Sequence, residues 1–316
     1  MAVVTASNTI VGLARETTYG TAVTTPTVLI PDMMDYTFGN EQITLPQKTQ
    51  TLAPMVNTSY EGRKVPTVTL SGVLTYSHLE LLTAMFGDAA TPYVIGTDDV
   101  ATGAVGYSYT IIQAIPVASD DLGDGVLALG CRLETLNFTK NGAYIGYTAT
   151  FKAKSIDDRV DLAAYTATTT YPELVPYLWQ DVTCALMDDT PITKLNTFSL
   201  DLVNEYVDDD LSFQNSETRN SLEKCATNGT LTAEWIYDTT KDAVVYDNLL
   251  SQTLKTDVIS FVNAVATWAI TTEGQYTDYS KPDKDKCLFT GNFTKQIAGK
   301  TAATAVAPIS IAITVH

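Results

Sequence analysis

The chain has little of what most enzymes use to move protons or hold metals. Its 316 residues include only two histidines, His78 and His316. That leaves too little for a histidine-based nucleophile triad or a histidine metal site. Four cysteines, Cys131, Cys184, Cys225 and Cys287, stand far apart with no Cys-x-x-Cys spacing. They read as small buried apolar side chains in a reducing compartment. A Cys131–Cys287 bridge is the sharper alternative, disfavoured because those residues fall in different halves of the chain. No phosphate-binding loop, His-Glu-x-x-His pair or calcium-loop spacing occurs. Gly123-Asp-Gly-Val-Leu-Ala128 fits a loose dinucleotide pattern, but it leads into a strand and opens no helix that could hold a pyrophosphate.

Long hydrophobic runs are also missing, so no spanning helix is expected. The start, Met1-Ala-Val-Val-Thr, lacks the basic region of a signal peptide. The expectation is a soluble chain made in the cytoplasm, with no membrane partner. Basic residues are scarce: 19 Lys and Arg face 36 Asp and Glu, for a net charge of −17. This argues against binding nucleic acid through its phosphates, which needs clustered cations. It is compatible with DNA as a passenger, since an acidic wall leaves DNA free to slide.

A hydrophobic content of 45% marks a globular chain, and its length suits two domains that can each bury a core. Internal similarity supports two. Asn137-Phe-Thr-Lys140 recurs as Asn292-Phe-Thr-Lys295. Thr69-Leu-Ser-Gly-Val-Leu-Thr-Tyr76 resembles Thr230-Leu-Thr-Ala-Glu-Trp-Ile-Tyr237, and both run into a helix start. Ser77 and Glu80 have capping-box spacing ahead of Leu82, Met85 and Phe86, with Gly87 to close the helix. Asp238 or Thr239 caps the counterpart, which carries Ala243, Val244, Leu249 and Leu250. Further back, Tyr36 to Glu41 resembles Leu200 to Glu205. Four features in one order predict two copies of one β-rich unit.

Taken in order, residues 1–26 read as an N-terminal arm, either packed on a neighbour or frayed. The first unit spans 27–155. Its strands are expected at Val28–Asn40, Val68–Tyr76, Tyr93–Ile95, Gly106–Gln113, Val126–Phe138 and Tyr144–Lys154, with a tight hairpin at Asn141-Gly142. Residues 156–177 read as an ordered connector. The second unit, 178–316, has strands at Val182–Met187 and Leu195–Asn204 and ends on an apolar run from Ala307 to Val315. Each unit holds one long polar connection in the same slot, Glu41–Arg63 and Glu205–Asn228. Loops of that length inside a compact domain usually have a function.

Acidic pairs recur at Asp98-Asp99, Asp120-Asp121, Asp157-Asp158, Asp188-Asp189 and Asp208 to Asp210. None has ligand-loop spacing, so they read as solvated turns. Together they set a negative surface or lumen. Trp179, Trp235, Trp268 and the 17 tyrosines read as core and interface packing. The Asn-x-Ser/Thr matches at Asn57, Asn137, Asn228 and Asn292 carry no meaning without secretion.

Two sheets with open edges and long polar loops describe a self-assembling block. At this point the chain resembles the tail tube proteins (major tail proteins) of long-tailed bacteriophages. The resemblance is carried by Arg15-Glu-Thr-Thr-Tyr-Gly-Thr21 with the sequence to Ile30-Pro31, by Val68 to Gly87, and by Asn196–Asn204 with Gly229–Tyr237. It implies a mainly β chain of two tandem tail-tube-like β-sandwich domains, each with a flanking α-helix and a long inter-strand loop. It implies a virion tail protein, assembled in the host cytoplasm, with no enzyme activity and no cofactor. Partners would be further copies of itself, in homotrimeric pseudo-hexameric rings or homohexameric ones, together with a tape measure protein and tail terminator and distal tail proteins. DNA would pass without specific binding. The loops would touch the adjacent ring, with candidates Glu41, Gln47, Thr51, Met55, Asn57 and Tyr60 in the first and Asp208, Asp209, Asp210, Phe213, Arg219 and Lys224 in the second. The rival reading is a bacterial surface or adhesion module of two β-sandwiches, which would carry a signal peptide and exposed aromatic patches. An enzyme ranks third, for want of a convergent acid–base set.

Overall fold

The computed structural model describes residues 10–24, 28–29, 33–47, 58–87, 91–94, 107–116, 122–165, 175–186, 190–192, 195–208, 222–236, 239–252, 254–285, 288–297 and 309–316. The strands form two series. The first runs β1 (Ile10–Arg15), β2 (Val28–Leu29), β3 (Met33–Gln47), β4 (Thr58–Val73), a 3-10 turn (Tyr76–His78), α1 (Leu79–Phe86), β5 (Tyr93–Val94), β6 (Tyr109–Pro116), β7 (Leu122–Asn141), β8 (Tyr144–Lys152) and β9 (Ser155–Asp161). The second runs β10 (Val182–Leu186), β11 (Thr190–Ile192), β12 (Leu195–Asp208), β13 (Leu222–Ile236), α2 (Thr239–Ser251), β14 (Lys255–Val262), β15 (Ala266–Asp285), β16 (Leu288–Ile297) and β17 (Ile309–Val315).

Every pairing is antiparallel, and the two series pair alike. β1 joins β2 and β6, as β10 joins β11 and β14. β6 joins β7 and β7 joins β9, as β14 joins β15 and β15 joins β17. β3, β4, β8 and β7 lie side by side, as β12, β13, β16 and β15 do. The two 20-residue strands, β7 and β15, each cross between sheets. β7 leaves β9 at Leu129 and takes up β8 at Arg132. β15 leaves β17 at Thr272 and takes up β16 at Gly274. A register shift follows each crossing, between Leu133 and Thr135 and between Tyr276 and Asp278. An inserted residue bends a strand there and increases its twist, which is what a strand turning into a second layer requires.

The series meet along β7 and β12, from Thr139 opposite Ser199 to Thr135 opposite Val203. This joins two four-stranded sheets into one of eight strands, in the order β3, β4, β8, β7, β12, β13, β16, β15. A second tie pairs β5 with β17. The core is continuous across the junction. Phe138 packs edge-on against Trp268, and Tyr177 lies against both Trp268 and Phe261. Each such fully buried side chain contributes roughly 1.5–3 kcal/mol relative to exposure.

Several expectations shift. Ile10–Arg15, expected in an arm, is a strand between β2 and β6 with Val11, Leu13 and Ala14 buried. Residues 156–161, expected to open a connector, complete β9 beside β7. Both ends of each expected polar loop are paired strand. β3 and β4 continue to Gln47 and Thr58, and β12 and β13 to Asp208 and Leu222. Ladder hydrogen bonds belong to the backbone, so polar side chains do not prevent pairing there. The two Asn-Phe-Thr-Lys phrases lie on β7 and β16, which do not hold matching places in the pairing pattern. Tyr36–Glu41 and Leu200–Glu205 do lie on matching strands, β3 and β12. The helix is not capped by Ser77. Thr75 and His78 form the capping box of the 3-10 turn that leads into α1. Gly87 ends the helix as expected, with φ 77° and its N–H on the Thr83 carbonyl. Gly142, φ 61°, makes the expected β7–β8 turn.

Candidate functional site

Alternation along the eight-stranded sheet separates two chemistries. One side is core: Val68, Leu70, Phe151, Ala149, Leu136, Phe138, Leu200, Leu202, Leu231 and Trp235 are buried. The intervening residues on these strands are Thr67, Thr69, Ser71, Thr148, Thr150, Thr135, Asn137, Thr139, Ser199, Asp201, Thr230 and Thr232, all partly exposed. The open side is thus a field of hydroxyls, tied across strands by contacts such as Thr69 to Thr150 at 3.3 Å and Asn137 to Ser199 at 2.9 Å. The Asn137 amide also donates to Asp201. Charge on this side is sparse and acidic. Glu134 pairs with Lys152 at 2.6 Å, and Asp201, Glu205, Glu234 and Asp278 add carboxylates. β-branched threonine suits a pleated surface, and its hydroxyl keeps that surface wet.

Both borders of this sheet are open among the described strands. β3 pairs only with β4, and β15 beyond Gly274 pairs only with β16. Exposed ladder groups of this kind are templates for another strand.

Two closed polar clusters brace the layers behind. Glu16 is buried and accepts hydrogen bonds from the Gly20 N–H (2.8 Å), Ser108 Oγ (2.7 Å), Thr110 Oγ1 (3.1 Å) and the Gly130 N–H (2.9 Å). The Tyr19 ring lies beneath the cations of Arg132 and Lys154, at 4.9 and 5.5 Å. Arg15 pairs with Glu80 at 2.8 Å, and the Tyr109 hydroxyl donates to the same carboxylate. Within Arg15-Glu-Thr-Thr-Tyr-Gly-Thr21, Arg15, Glu16 and Tyr19 hold the chain entry against α1, β6 and β7. Burial, then the nearby Glu80 charge, pushes the Tyr109 hydroxyl well up. Burial likewise pushes up the Cys131 thiol, which is free and unreactive in this setting. In the second series Lys295 is fully buried. It donates to Asp257 at 2.7 Å and to the Thr272 carbonyl at 2.9 Å, while the Tyr276 hydroxyl donates to Asp257 at 2.9 Å. The charged groups of Glu16, Asp257 and Lys295 are buried and satisfied within the fold and offer nothing to a substrate.

Of the loop candidates, Glu41 and Gln47 lie on β3, Tyr60 on β4 opposite Leu45, Asp208 on β12 opposite Leu222, and Lys224 on β13 opposite Tyr206. Thr51, Met55, Asn57, Asp209, Asp210, Phe213 and Arg219 lie outside the described residues. So do Asp98-Asp99, Asp120-Asp121 and Asp188-Asp189, whereas Asp157-Asp158 is exposed on β9. Trp235 and Trp268 are core residues, as expected. No group of three or more metal-ligating side chains occurs among the described residues. Nor is any described helix long and apolar enough to cross a membrane. The open face itself was not foreseen. Alternating Thr along Thr67–Ser71, Thr135–Thr139 and Thr230–Thr232 is the signal that could have found it.

A mainly β molecule with one polar sheet face and two sheet borders open among the described strands has the parts of an assembling structural component. The chain belongs to the phage tail tube protein family, whose family model matches residues 6–313. No curated protein matches it. Among solved structures it is similar to a chain of the "Virion of native gene transfer agent (GTA) particle". The identity is 14% and the TM-score 0.31, over 41% of this chain and 98% of that one. The protein is therefore a structural tail tube component of a virion.

Proposed function

We propose that copies of this chain assemble into stacked rings that line a channel for DNA, each chain supplying two tandem units of one design. The observation that carries this is the β7–β12 seam. There the sheet of one unit continues into the sheet of the next, border to border, within a single chain. The same border chemistry is open at β3 and β15, so further copies extend the sheet until it closes, and a closed sheet has no free border. Three chains would supply six units, which favours a homotrimeric pseudo-hexamer over a homohexamer. The hydroxyl-rich face would line the bore. Among the described residues it has no cluster of cations to hold phosphates by counterion release, so DNA would slide past it. The hairpins β3–β4 and β12–β13 would meet the adjacent ring. Tape measure, terminator and distal tail proteins would engage the tube's interior and ends during assembly in the host cytoplasm.

Negative-stain microscopy of the purified protein tests this directly. Rings and tubes are expected, and dispersed monomers at every concentration and ionic strength would overturn the reading. Deleting Gln47–Asn57 is expected to leave rings but abolish long tubes; tubes of normal length would remove the stacking role from that hairpin.

A further inference from the structure

The two helices hold matching places, after β4 and after β13, and each ends in the same way. Gly87 (φ 77°) bonds back to the Thr83 carbonyl, and Gln252 (φ 54°) bonds back to the Asn248 carbonyl. Matching those ends sets Leu81 against Tyr246 and Met85 against Leu250. Leu81 and Met85 are 2% and 0% exposed; Tyr246 and Leu250 are 46% and 64% exposed. Val244, one turn before Asn248, is exposed as well. An apolar helix face buried in one unit is open in the other.

The last turn of α1 lies at the internal seam. The Asn204 amide of β12, the border strand of the second unit, donates to the Met85 carbonyl at 3.1 Å and the Leu133 carbonyl at 3.0 Å. The Tyr206 hydroxyl of the same strand donates to Leu133 at 2.9 Å. The internal seam thus joins β12 to both β7 and the last turn of α1. At the other border the same parts stand side by side without a second unit on them. The Tyr246 ring of α2 lies 6.0 Å from that of Tyr279 on β15, so helix face and strand border form one surface.

We propose that α2 and β15 beyond Gly274 form the docking surface for β3 of a second copy of this chain, with Gly39 opposite Ser280, Asn40 opposite Tyr279 and Glu41 opposite Asp278. The register comes from the internal seam. The shifts at Met33/Asp35 and Leu195/Thr197 match β3 to β12, setting Gly39, Asn40 and Glu41 against Asp201, Leu202 and Val203. The shifts at Leu133/Thr135 and Tyr276/Asp278 match β7 to β15, setting Thr135, Leu136 and Asn137 against Asp278, Tyr279 and Ser280. The observed pairs Asp201–Asn137, Leu202–Leu136 and Val203–Thr135 then become the three pairs between chains. Gln42 takes the place of Asn204, over the Leu250 carbonyl. One cost is new: the seam between chains sets two carboxylates opposite each other where the internal seam has Val203 and Thr135. Like charges so placed repel, so added salt favours closure.

This proposal rests on the tube reading and names the surface that reading uses. The test is a cysteine pair, Glu41→Cys with Asp278→Cys, oxidised under assembly conditions and run on a denaturing gel without reductant. Covalent bands are expected to rise to a closed ring and stop. The pair Asn40→Cys with Asp278→Cys, one residue out, sets the thiols on opposite faces and is expected not to cross-link. Cross-linking by the second pair in place of the first overturns the register. A separate variant, Tyr246→Glu with Leu250→Glu, alters exposed positions, so an unchanged circular dichroism spectrum and melting temperature with loss of rings are expected. Wild-type tubes together with negative results from both tests overturn this surface and leave the tube function standing. A wild-type chain that never assembles overturns both.

Discussion

The same position in the two units is filled by opposite chemistries. Where β8 passes the crossing of β7, the paired side chains Phe151 and Leu133 are fully buried, and both are apolar. In the second series the matching pair is Lys295 of β16 and Tyr276 of β15, also buried and both bonded to Asp257 of β14. The pairing of strands is alike around both. A backbone plan of this kind therefore does not dictate its core; it dictates only that the core be filled and satisfied. The apolar set needs shape alone. The polar set needs every member, because a buried charge keeps its desolvation cost whether or not its partner is present.

The largest effect should come from breaking the polar set. Lys295→Met strands Asp257 in the core and should cost about 3–5 kcal/mol, read as a lowered denaturation midpoint. The triple exchange Asp257→Ile, Tyr276→Leu and Lys295→Phe makes the site apolar, as Phe151 and Leu133 are in the first series, and should be neutral or stabilising. A triple variant as unstable as Lys295→Met would show that the two sites are not equivalent.

Next is Glu16, which has no counterpart cluster described in the second unit. Glu16→Gln removes a charged acceptor from four donors, two of them backbone N–H groups, and turns an acceptor oxygen into a donor amide. A loss of about 1.5–3 kcal/mol is expected, the range for hydrogen bonds to a charged group, with proteolysis concentrated at the chain entry. An unchanged midpoint would mean that β1 is held by its ladder alone.

Alkaline stability separates the units on a further axis. The Tyr109 hydroxyl is pushed well above its ordinary value of 10.0 by burial and by Glu80. Its neutral form is the one the fold holds, so its contribution is complete below pH 10. Above that the unfolded chain loses its proton first, and stability should fall by about 1.4 kcal/mol per pH unit. Tyr109→Phe, which has no proton to lose, should flatten that part of the profile in pH-dependent unfolding.

How much of this was legible in the sequence follows from what each signal encodes. Gly87 and Asn141-Gly142 were readable because positive φ is a local demand that few residues meet. The β-rich character and the helix before Gly87 were readable from periodicity, but its start was not, since Thr75 and not Ser77 makes the capping box. The polar arms of β3, β4, β12 and β13 were not, because their polar sequences show no alternation while the ladder is carried by the backbone. The repeat of Asn-Phe-Thr-Lys misled for a related reason: β strands reuse short apolar–polar phrases on whatever face they serve. Matching register shifts at Leu133/Thr135 and Tyr276/Asp278 are a feature of pairing, and pairing is invisible in one strand's sequence. The Glu16 cluster was present as a phrase, but its meaning required Ser108, Thr110 and Gly130, about a hundred residues away.

The smallest effect is expected on the helices, and its smallness is the point. Met85→Ala empties a fully buried site and should cost about 2–5 kcal/mol. Leu250→Ala, at the matching position and 64% exposed, should change the isolated chain by no more than about 0.5 kcal/mol. Measured again in assembled protein, the contrast should shrink, because a second copy would then bury Leu250 as β12 covers the end of α1. A side chain whose removal matters only in the assembly is one the fold holds out for another molecule. If Leu250→Ala is as silent in tubes as in monomers, α2 is a surface helix and nothing more, and the likeness between the two units ends at their strands.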